Sequence, residues 1–218
     1  MRRKYKKVGI TERKEKQKEE IRKMILKASM KLFTNEGFDK VSIRKIANII
    51  EYSPTTIYLY FKDKNEVLFQ LCEEGFMKLE ALNKNLLEIK NPLNRLHKMG
   101  ENYVGFGLQY PEYYDLMFIQ NAPMDKLAEM NDGKWIHGDK ALDLLRSIIK
   151  ECMATKIIRK GDIDSVTMAV WGMVHGLVSL AIRKRFVKLV GQDKVLETMH
   201  QGITWMMKTM DQSKIKSK

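Results

Sequence analysis

Two short segments decide the fold: VSIRKIA at residues 41–47 and SPTTIYLYFKDK at residues 53–64. Each holds a serine, Ser42 or Ser53, whose hydroxyl can cap a helix by accepting an otherwise unpaired backbone N–H. Behind each serine the apolar residues recur with helical spacing. The pattern predicts two short helices, at 42–50 and 54–60, joined by the turn Glu51-Tyr52.

The flanking sequence predicts a longer helix on either side of this pair. An apolar stripe from Ile21 to Phe33 indicates a first helix over about 14–36, and Gly37 suits a left-handed end. Asp63 is followed three residues later by Glu66, a variant of the capping box, so a fourth helix is expected over 64–88. Two short helices braced by a longer one have the helix-turn-helix layout.

The second short helix carries the side chains expected at DNA. The spacing exposes its threonines and tyrosines, whereas Ile57 and Phe61 face inward. Threonine can contact bases or phosphates, and tyrosine hydroxyls are common phosphate donors. The alternative is that Tyr58, Tyr60 and Phe61 simply pack the helix junction.

Residues 20–70 resemble the DNA-binding domain of the tetracycline-repressor (TetR) family, chiefly through IYLYFKDK at 57–64. The resemblance implies an all-α homodimer that represses transcription and is released from DNA by a small molecule. It implies phosphate contacts from Tyr58 and Lys64. The sequence departs from the family pattern at Glu51, where glycine is usual. The DNA-binding residues predicted from the residues and the resemblance together are Ser42, Arg44, Ser53, Thr55, Thr56, Tyr58, Tyr60, Lys62 and Lys64.

Positive charge concentrates in the same third of the chain. The 218 residues hold 40 Lys/Arg against 27 Asp/Glu, a net charge of +13. Residues 1–68 hold 18 against 9, a net of +9. Such a block favours nucleic acid or an anionic membrane surface as partner, although a solvated lysine-rich tail has the same composition.

The remaining chain predicts an all-α protein of about nine helices. Within it, WGMVHGL at 171–177 and YPEYYDLMF at 110–118 resemble the Trp–His–Gly subgroup of the TetR family. The expected domains are a basic flexible arm, the helix-turn-helix domain, a ligand-binding and dimerisation domain, and a frayed tail. Their predicted ranges are 1–14, 15–62, 63–210 and 211–218.

The last two predicted helices, 164–187 and 193–210, have apolar faces that suit a dimer. Gly172 and Gly176 lie four residues apart, which lets a second helix approach closely. The family resemblance implies a four-helix dimer interface here. The predicted interface residues are Gly172, Gly176, Val195, Met199, Ile203 and Met206.

Aromatic residues and methionines of the middle helices suit an adaptable apolar pocket. The predicted linings are Tyr103, Phe106, Tyr110, Tyr114, Met117, Phe118, Trp135, Trp171 and His175. Any one of them can instead be a core residue, and His175 can be a hydrogen-bonded core histidine. The set holds no acidic residue, which argues against a cationic effector.

Catalytic and cofactor motifs are absent from the sequence. The four histidines have no metal-ligand spacing with each other or with Cys72 or Cys152, and no nucleotide-binding loop is present. We therefore expect that the protein is not an enzyme and that it binds neither a metal nor a cofactor. No apolar run approaches the roughly 18 residues that would suggest a membrane span, and the two widely spaced cysteines favour a cytoplasmic protein. Cys72 is expected to be a buried thiol rather than a redox site.

The sequence therefore predicts a DNA-binding transcriptional regulator that a small, mainly apolar or aromatic effector releases from its operator. The alternative is a helical membrane-surface or scaffolding protein that uses the basic N-terminus.

Overall fold

The computed structural model describes residues 9–127 and 135–212, with the side chains of residues 10 and 125–127 left out. This part of the chain is all-helical, as predicted, with eleven α-helices rather than about nine. The helices are α1 (Ile10–Glu36), α2 (Ile43–Ile49), α3 (Pro54–Tyr58), α4 (Lys64–Leu82), α5 (Pro92–Gln109), α6 (Pro111–Phe118), α7 (Ala122–Leu127), α8 (Ile136–Ala154), α9 (Ile163–Ile182), α10 (Arg185–Val190) and α11 (Val195–Met210). Short 3₁₀ turns occupy Phe38–Lys40, Leu86–Glu88 and Gln192–Lys194.

Helices α1, α2 and α3 enclose one small core. Ile25, Phe33, Ile46 and Ile57 are completely buried there, and Phe61 closes the core from the chain that follows α3. Removing such side chains from water supplies most of the stability of a small helical unit. The helix stripes predicted from the spacing of apolar residues are therefore confirmed.

The turns around α2 differ in detail from the prediction. Gly37 has a positive φ of 84°, but its ψ of 151° is extended rather than left-handed helical. Glu51 takes the left-handed conformation, with φ 59°. A side chain at that φ is strained relative to glycine, which explains why a glycine is expected at this turn.

Helix α5 lies at the centre of the C-terminal domain. It packs against α4, α6, α8, α9 and α11. At Gly107 the backbone of α5 comes so close to α9 that an added Cβ would lie 2.2 Å from Cγ1 of Val178. This close crossing needs glycine.

Three predicted helix boundaries were wrong for identifiable reasons. The fourth helix ends at Leu82, not at 88, and the Asn102 amide of α5 donates to the Leu82 carbonyl at 2.7 Å, which satisfies this end of the helix. The sequence also predicts a helix capped by Asp139 and running to about residue 157, but helix α8 begins at Ile136, and the Asp139 backbone N–H lies inside its first turn. The predicted helix over 164–187 is two helices, since Lys184 is left-handed with φ 57°.

Smaller differences occur at the chain ends and around α9. Residues 10–14 of the predicted arm continue α1, whereas residues 1–8 and 213–218 lie outside the described chain. Helix α9 begins at Ile163, one residue before the predicted start at 164, and Asp162 caps it by accepting the Ser165 N–H at 2.8 Å.

Helix α9 is long and apolar enough, by length and composition, to cross a membrane. Residues 165–182 contain no Asp, Glu, Lys or Arg, so the expectation that no such run exists was wrong. Only 22% of this window is buried within the protomer. Much of α9 therefore presents an uncovered apolar surface.

Candidate functional site

The exposed face of α2 and α3 is the candidate nucleic-acid interface. Tyr58 is 56% exposed and Thr55 is also exposed, whereas Tyr60 is half-buried. Within the described residues, the Tyr58 and Thr55 hydroxyls make no hydrogen bond. The prediction that Ile57 and Phe61 face inward is confirmed.

Three other predicted contact residues have a role in shaping the helices. The Ser42 hydroxyl accepts the Lys45 N–H at 3.2 Å and so caps α2. The Ser53 hydroxyl accepts the Thr56 N–H at 3.2 Å and lies 3.0 Å from the Thr56 hydroxyl. These bonds fix the starts of the two helices at the exposed face, as the cap pattern predicts.

Lys64 is half-buried and its ammonium points into the domain. It donates to the carbonyls of Phe38 and Val41 at 2.9 and 3.0 Å. Its Nζ also lies 4.2 Å from the centre of the Phe38 ring. Lys64 therefore joins α4 to the connection between α1 and α2. In this geometry its ammonium binds two backbone carbonyls, which differs from the predicted contact with a DNA phosphate.

The capping box at α4 is offset by one residue. Asp63 accepts the Glu66 N–H at 2.9 Å, as predicted, but the Glu66 carboxylate accepts from the backbone N–H of Lys62. The Lys62 side chain stays exposed. The two bonds hold the end of α3 against the start of α4.

Arg44 and Lys62 are exposed cations before and after the tyrosines in sequence, and neither forms an ion pair with the described residues. Lys45 is paired with Glu36. Leu59, 74% exposed, lies beside Tyr58 and was missed because an apolar side chain gave no signal for exposure. The face thus combines cations, hydroxyls and one apolar contact, a composition that suits a DNA groove and its phosphates.

A second feature is a cavity of about 570 Å³ in the C-terminal domain. Its size lies within the range of small-molecule sites. Five of the nine predicted residues line it: Tyr103, Met117, Phe118, Trp135 and Trp171. The other four, Phe106, Tyr110, Tyr114 and His175, are not among the lining residues.

Aromatic rings form one continuous wall of the cavity. Phe118 lies 5.7 Å from Phe76, 5.8 Å from Tyr103 and 6.0 Å from Trp171, measured between ring centres. Phe76 in turn lies 5.8 Å from Trp135. Edge and tilted contacts of this kind stabilise a fixed arrangement of rings.

His175 lies behind this wall as a half-buried, hydrogen-bonded histidine. Its Nδ1 lies 2.8 Å from the Tyr114 hydroxyl and 3.3 Å from the Tyr103 hydroxyl, which also accepts the Trp171 indole N–H at 3.1 Å. Burial lowers the pKa of His175 and raises the pKa of Tyr103 to about 12. The network is therefore uncharged at neutral pH and orients two rings of the cavity wall.

The remaining lining residues come mostly from helices that the prediction did not use. They include Phe76 and Leu79 of α4 and Asp139 of α8, whereas Met99 comes from α5, which also carries the predicted Tyr103. In those helices the apolar stripe is wide, and a residue that faces a cavity has the same spacing as one that faces solid core. Asp139 was assigned to a helix cap, so its position at the cavity was not predicted.

The predicted dimer residues divide into two groups. Val195, Met199 and Ile203 are buried within the protomer, and Met206 lines the cavity. The regular apolar spacing of these four residues along α11 reflects the packing of α11 against α5. In contrast, a Cβ added at Gly172 or Gly176 would meet nothing within 4 Å.

Helix α6 and the residues after it connect the cavity to the helix-turn-helix domain. The helix packs against α1, and its Met117 and Phe118 line the cavity. Gln120, also at the cavity, donates to the Asp115 carboxylate at 3.0 Å and makes a longer contact of 3.5 Å with the Phe33 carbonyl in the last turn of α1. Asp115 is further paired with Arg183, just after α9.

Groups of three or more potential metal ligands do not occur among the described side chains. Cys72 and Cys152 are both buried and unpaired, and burial raises the pKa of each thiol, to about 11 for Cys152. Raised thiol pKa values favour the unreactive protonated form.

Comparisons with known proteins agree over both domains. Residues 25–71 match the family described as bacterial regulatory proteins, tetR family, and residues 96–203 match the tetracyclin repressor-like C-terminal domain. The chain is 24% identical over 144 residues to the HTH-type transcriptional repressor NicS of Pseudomonas putida, which covers 66% of this chain and 68% of that protein.

Two solved structures share the fold. The TetR family transcriptional regulator PfmR of Thermus thermophilus has a TM-score of 0.64 and 19% identity, covering 84% of this chain and 97% of that one. The ketosteroid transcriptional regulator KstR2 of Mycobacterium tuberculosis has a TM-score of 0.68 and 15% identity, covering 88% and 95%.

Proposed function

Because the chain belongs to the TetR family of transcriptional regulators and is thus a DNA-binding regulator, we propose that it is a homodimeric repressor that a small, mainly apolar or aromatic effector releases from its operator. Regulators of this family bind DNA operators and small-molecule effectors and act as dimers. They are typically not enzymes. The single observation that carries the proposal is that α6 contacts both the aromatic cavity and α1 of the DNA-binding domain.

The release mechanism follows from this connection. Two recognition helices of a dimer must lie about 34–36 Å apart to enter successive major grooves. An effector that pushes against Phe118 or Gln120 displaces α6 against α1 and changes that separation. Because the two states differ in their contacts with the effector, binding shifts the equilibrium away from the DNA-bound form.

We assign the DNA contacts to Arg44, Thr55, Tyr58, Tyr60 and Lys62, with Ser42, Ser53 and Thr56 holding the helices that present them. The test is a fluorescence anisotropy titration with DNA from upstream of the protein's own gene. Tyr58→Phe removes one hydroxyl and is expected to weaken binding to all sequences by several-fold. Tyr52→Phe, an exposed tyrosine before α3, is the matched control. The proposal fails if the unmodified protein binds no upstream fragment more tightly than random DNA.

The dimer seam is proposed on the uncovered face of α9 together with α11. Met168, Gly172, Gly176 and Leu180 lie at four-residue intervals on α9, and Met168 and Leu180 are exposed. Trp205, on α11, is 69% exposed. We expect Gly172→Trp to yield monomers in sedimentation experiments, because the added ring prevents close helix approach. Gly105→Trp, on an exposed position of α5, is expected to leave the dimer intact.

Gln120 is proposed to couple the cavity to α1. Gln120→Ala removes both its bonds and is expected to change operator affinity threefold or more without loss of fold. Asn121→Ala, an exposed neighbour at the same cavity, is the control. Equal operator affinities for the two variants would contradict the coupling role.

Several coarser assignments complete the proposal. The basic arm before α1 adds affinity for phosphate without sequence preference, so deletion of residues 1–9 is expected to reduce both affinity and its salt dependence. The C-terminal domain is assigned to the Trp–His–Gly subgroup, supported by the contact of Trp171 and His175 with Tyr103. A helix-turn-helix domain that begins with α1 at residue 10 and ends at 62, a C-terminal domain over 63–210 and a cytoplasmic location are also proposed. Liposome binding without DNA binding would instead favour the membrane-surface alternative, which the comparisons do not support.

A further inference from the structure

The cavity has an asymmetric charge composition. None of the lining residues in the described part of the chain is Lys, Arg or His, and Asp139 is the one carboxylate among them. An anionic ligand in this space would lose hydration without gaining a cationic partner, which is costly in an apolar cavity. The composition instead favours a neutral or positively charged ligand.

Asp139 lies at the opening of the cavity. Three lining residues are exposed, Asn121, Met124 and Asp139, and they mark where solvent reaches the space. The Asp139 backbone N–H is bonded to the Trp135 carbonyl at 2.8 Å. Its carboxylate forms no ion pair or hydrogen bond with any described residue, so it is available to a ligand entering there.

The nearby charges do not neutralise this opening. Glu73 of α4 is buried, and its Oε1 has no hydrogen-bond partner within the described chain. Its other oxygen accepts the His137 N–H at 3.3 Å, and the His137 ring lies 2.8 Å from the Glu80 carboxylate. Lys140, next to Asp139, acts on Glu73 but does not line the cavity. Three carboxylates, Glu73 and Glu80 of α4 and Asp139 of α8, therefore lie near one lysine and one histidine at the start of α8.

The aromatic wall supplies a second attraction for a cation. Ring faces are electrostatically negative, and an organic cation within about 6 Å of a ring centre is stabilised. The ring wall of Phe76, Phe118 and Trp135 runs inward from the first turn of α8, where Asp139 lies. A charged head beside Asp139 would therefore have rings next to it, with apolar surface deeper in the cavity for its body.

We infer that the effector is a lipophilic organic cation, whose charge lies beside Asp139 and whose apolar body lies against the aromatic wall. The inference rests on the proposed effector role of the cavity and narrows its ligand class. It also reverses the expectation that the effector is not a cation. That expectation came from the predicted lining residues, which included no acidic residue because Asp139 was predicted to cap a helix.

The test uses three probes with one 4-(2-naphthyl)butyl skeleton, ending in trimethylammonium, hydroxyl or carboxylate, measured by isothermal titration calorimetry. The cation is expected to bind at least tenfold more tightly than the alcohol, and the carboxylate most weakly. Asp139→Asn is expected to reduce cation affinity to that of the alcohol and to leave the alcohol unchanged. Asp143→Asn, one turn further along α8 and outside the cavity lining, is the control.

Three outcomes would overturn the inference: the carboxylate binds as tightly as the cation, Asp139→Asn weakens cation and alcohol equally, or none of the probes binds. The operator titration separates this result from the proposed function. Retained operator binding with failure of the cation overturns the ligand class alone. Cation binding by a protein that binds no operator overturns the proposed repressor role alone.

Discussion

Replacing Lys64 distinguishes a structural ammonium from a DNA contact. Lys64→Met keeps much of the stem but removes two bonds to the carbonyls of Phe38 and Val41, at 2.9 and 3.0 Å. Hydrogen bonds from a charged donor each contribute about 1.5–3 kcal/mol, and a cation over a ring at a partly exposed site adds roughly 0.5–1 kcal/mol. After allowance for the half-exposed site, we expect a loss of about 2–4 kcal/mol in the free energy of unfolding.

The assay is urea unfolding without DNA, followed by circular dichroism. Lys62→Met, whose ammonium has no partner among the described residues, is the control and should change stability by no more than about 0.5 kcal/mol. At a temperature where both variants are folded, Lys64→Met should leave the salt dependence of DNA binding unchanged. A phosphate contact would instead lower the slope of log K against log salt by about 0.9. A stable Lys64→Met protein with that lower slope would refute our interpretation.

Three further predictions concern backbone and thiols. Gly107→Ala should lower the free energy of unfolding by about 1–3 kcal/mol, because the new Cβ would lie 2.2 Å from Cγ1 of Val178. Gly105→Ala, whose Cβ would meet nothing within 4 Å, should raise it by up to about 1 kcal/mol. Both changes are measured by urea unfolding. Glu51→Gly should raise the free energy of unfolding by about 1 kcal/mol, because glycine adopts φ 59° without strain, whereas Glu51→Gln should not. Equal effects of the two variants in thermal unfolding would exclude backbone strain at this position. Burial raises the pKa of both cysteine thiols, so at pH 8 both remain protonated in the folded protein. A disulfide reagent at pH 8 should therefore modify them only when the protein unfolds, and rapid labelling of the native protein would show that a thiol is accessible.

The helix-turn-helix was predictable because its signals are local. Ser42, Ser53 and Asp63 each bond a backbone N–H three residues later, and this interaction depends only on residues within one turn. The helix faces were predictable for the same reason, since apolar spacing fixes which side is buried. Boundaries set by distant residues were not: the end of α4 depends on the amide of Asn102, about twenty residues away in the next helix.

The cavity was predictable only in part, because burial and cavity lining share one sequence pattern. His175 and Tyr103 were both placed in the predicted pocket, yet one lies behind the wall and the other in it. Their difference arises from how α5, α6 and α9 cross, which depends on contacts such as Gly107 against Val178. The same limitation applies to α11, where Met199 and Ile203 face α5 rather than a second copy.

The position of α6 explains why one short segment can serve two domains. Its aromatic residues were recognisable as pocket candidates, but Gln120 and Asp115 gave no sequence signal for a junction. The structure brings them within hydrogen-bond distance of each other, with Gln120 close to α1 and Asp115 paired with Arg183 after α9. The hydrogen bonds of this junction depend on distance and angle, so a displacement of α6 at the cavity would change specific bonds to α1 and to Arg183. Gln120→Leu should therefore preserve stability better than it preserves the response of DNA binding to an effector.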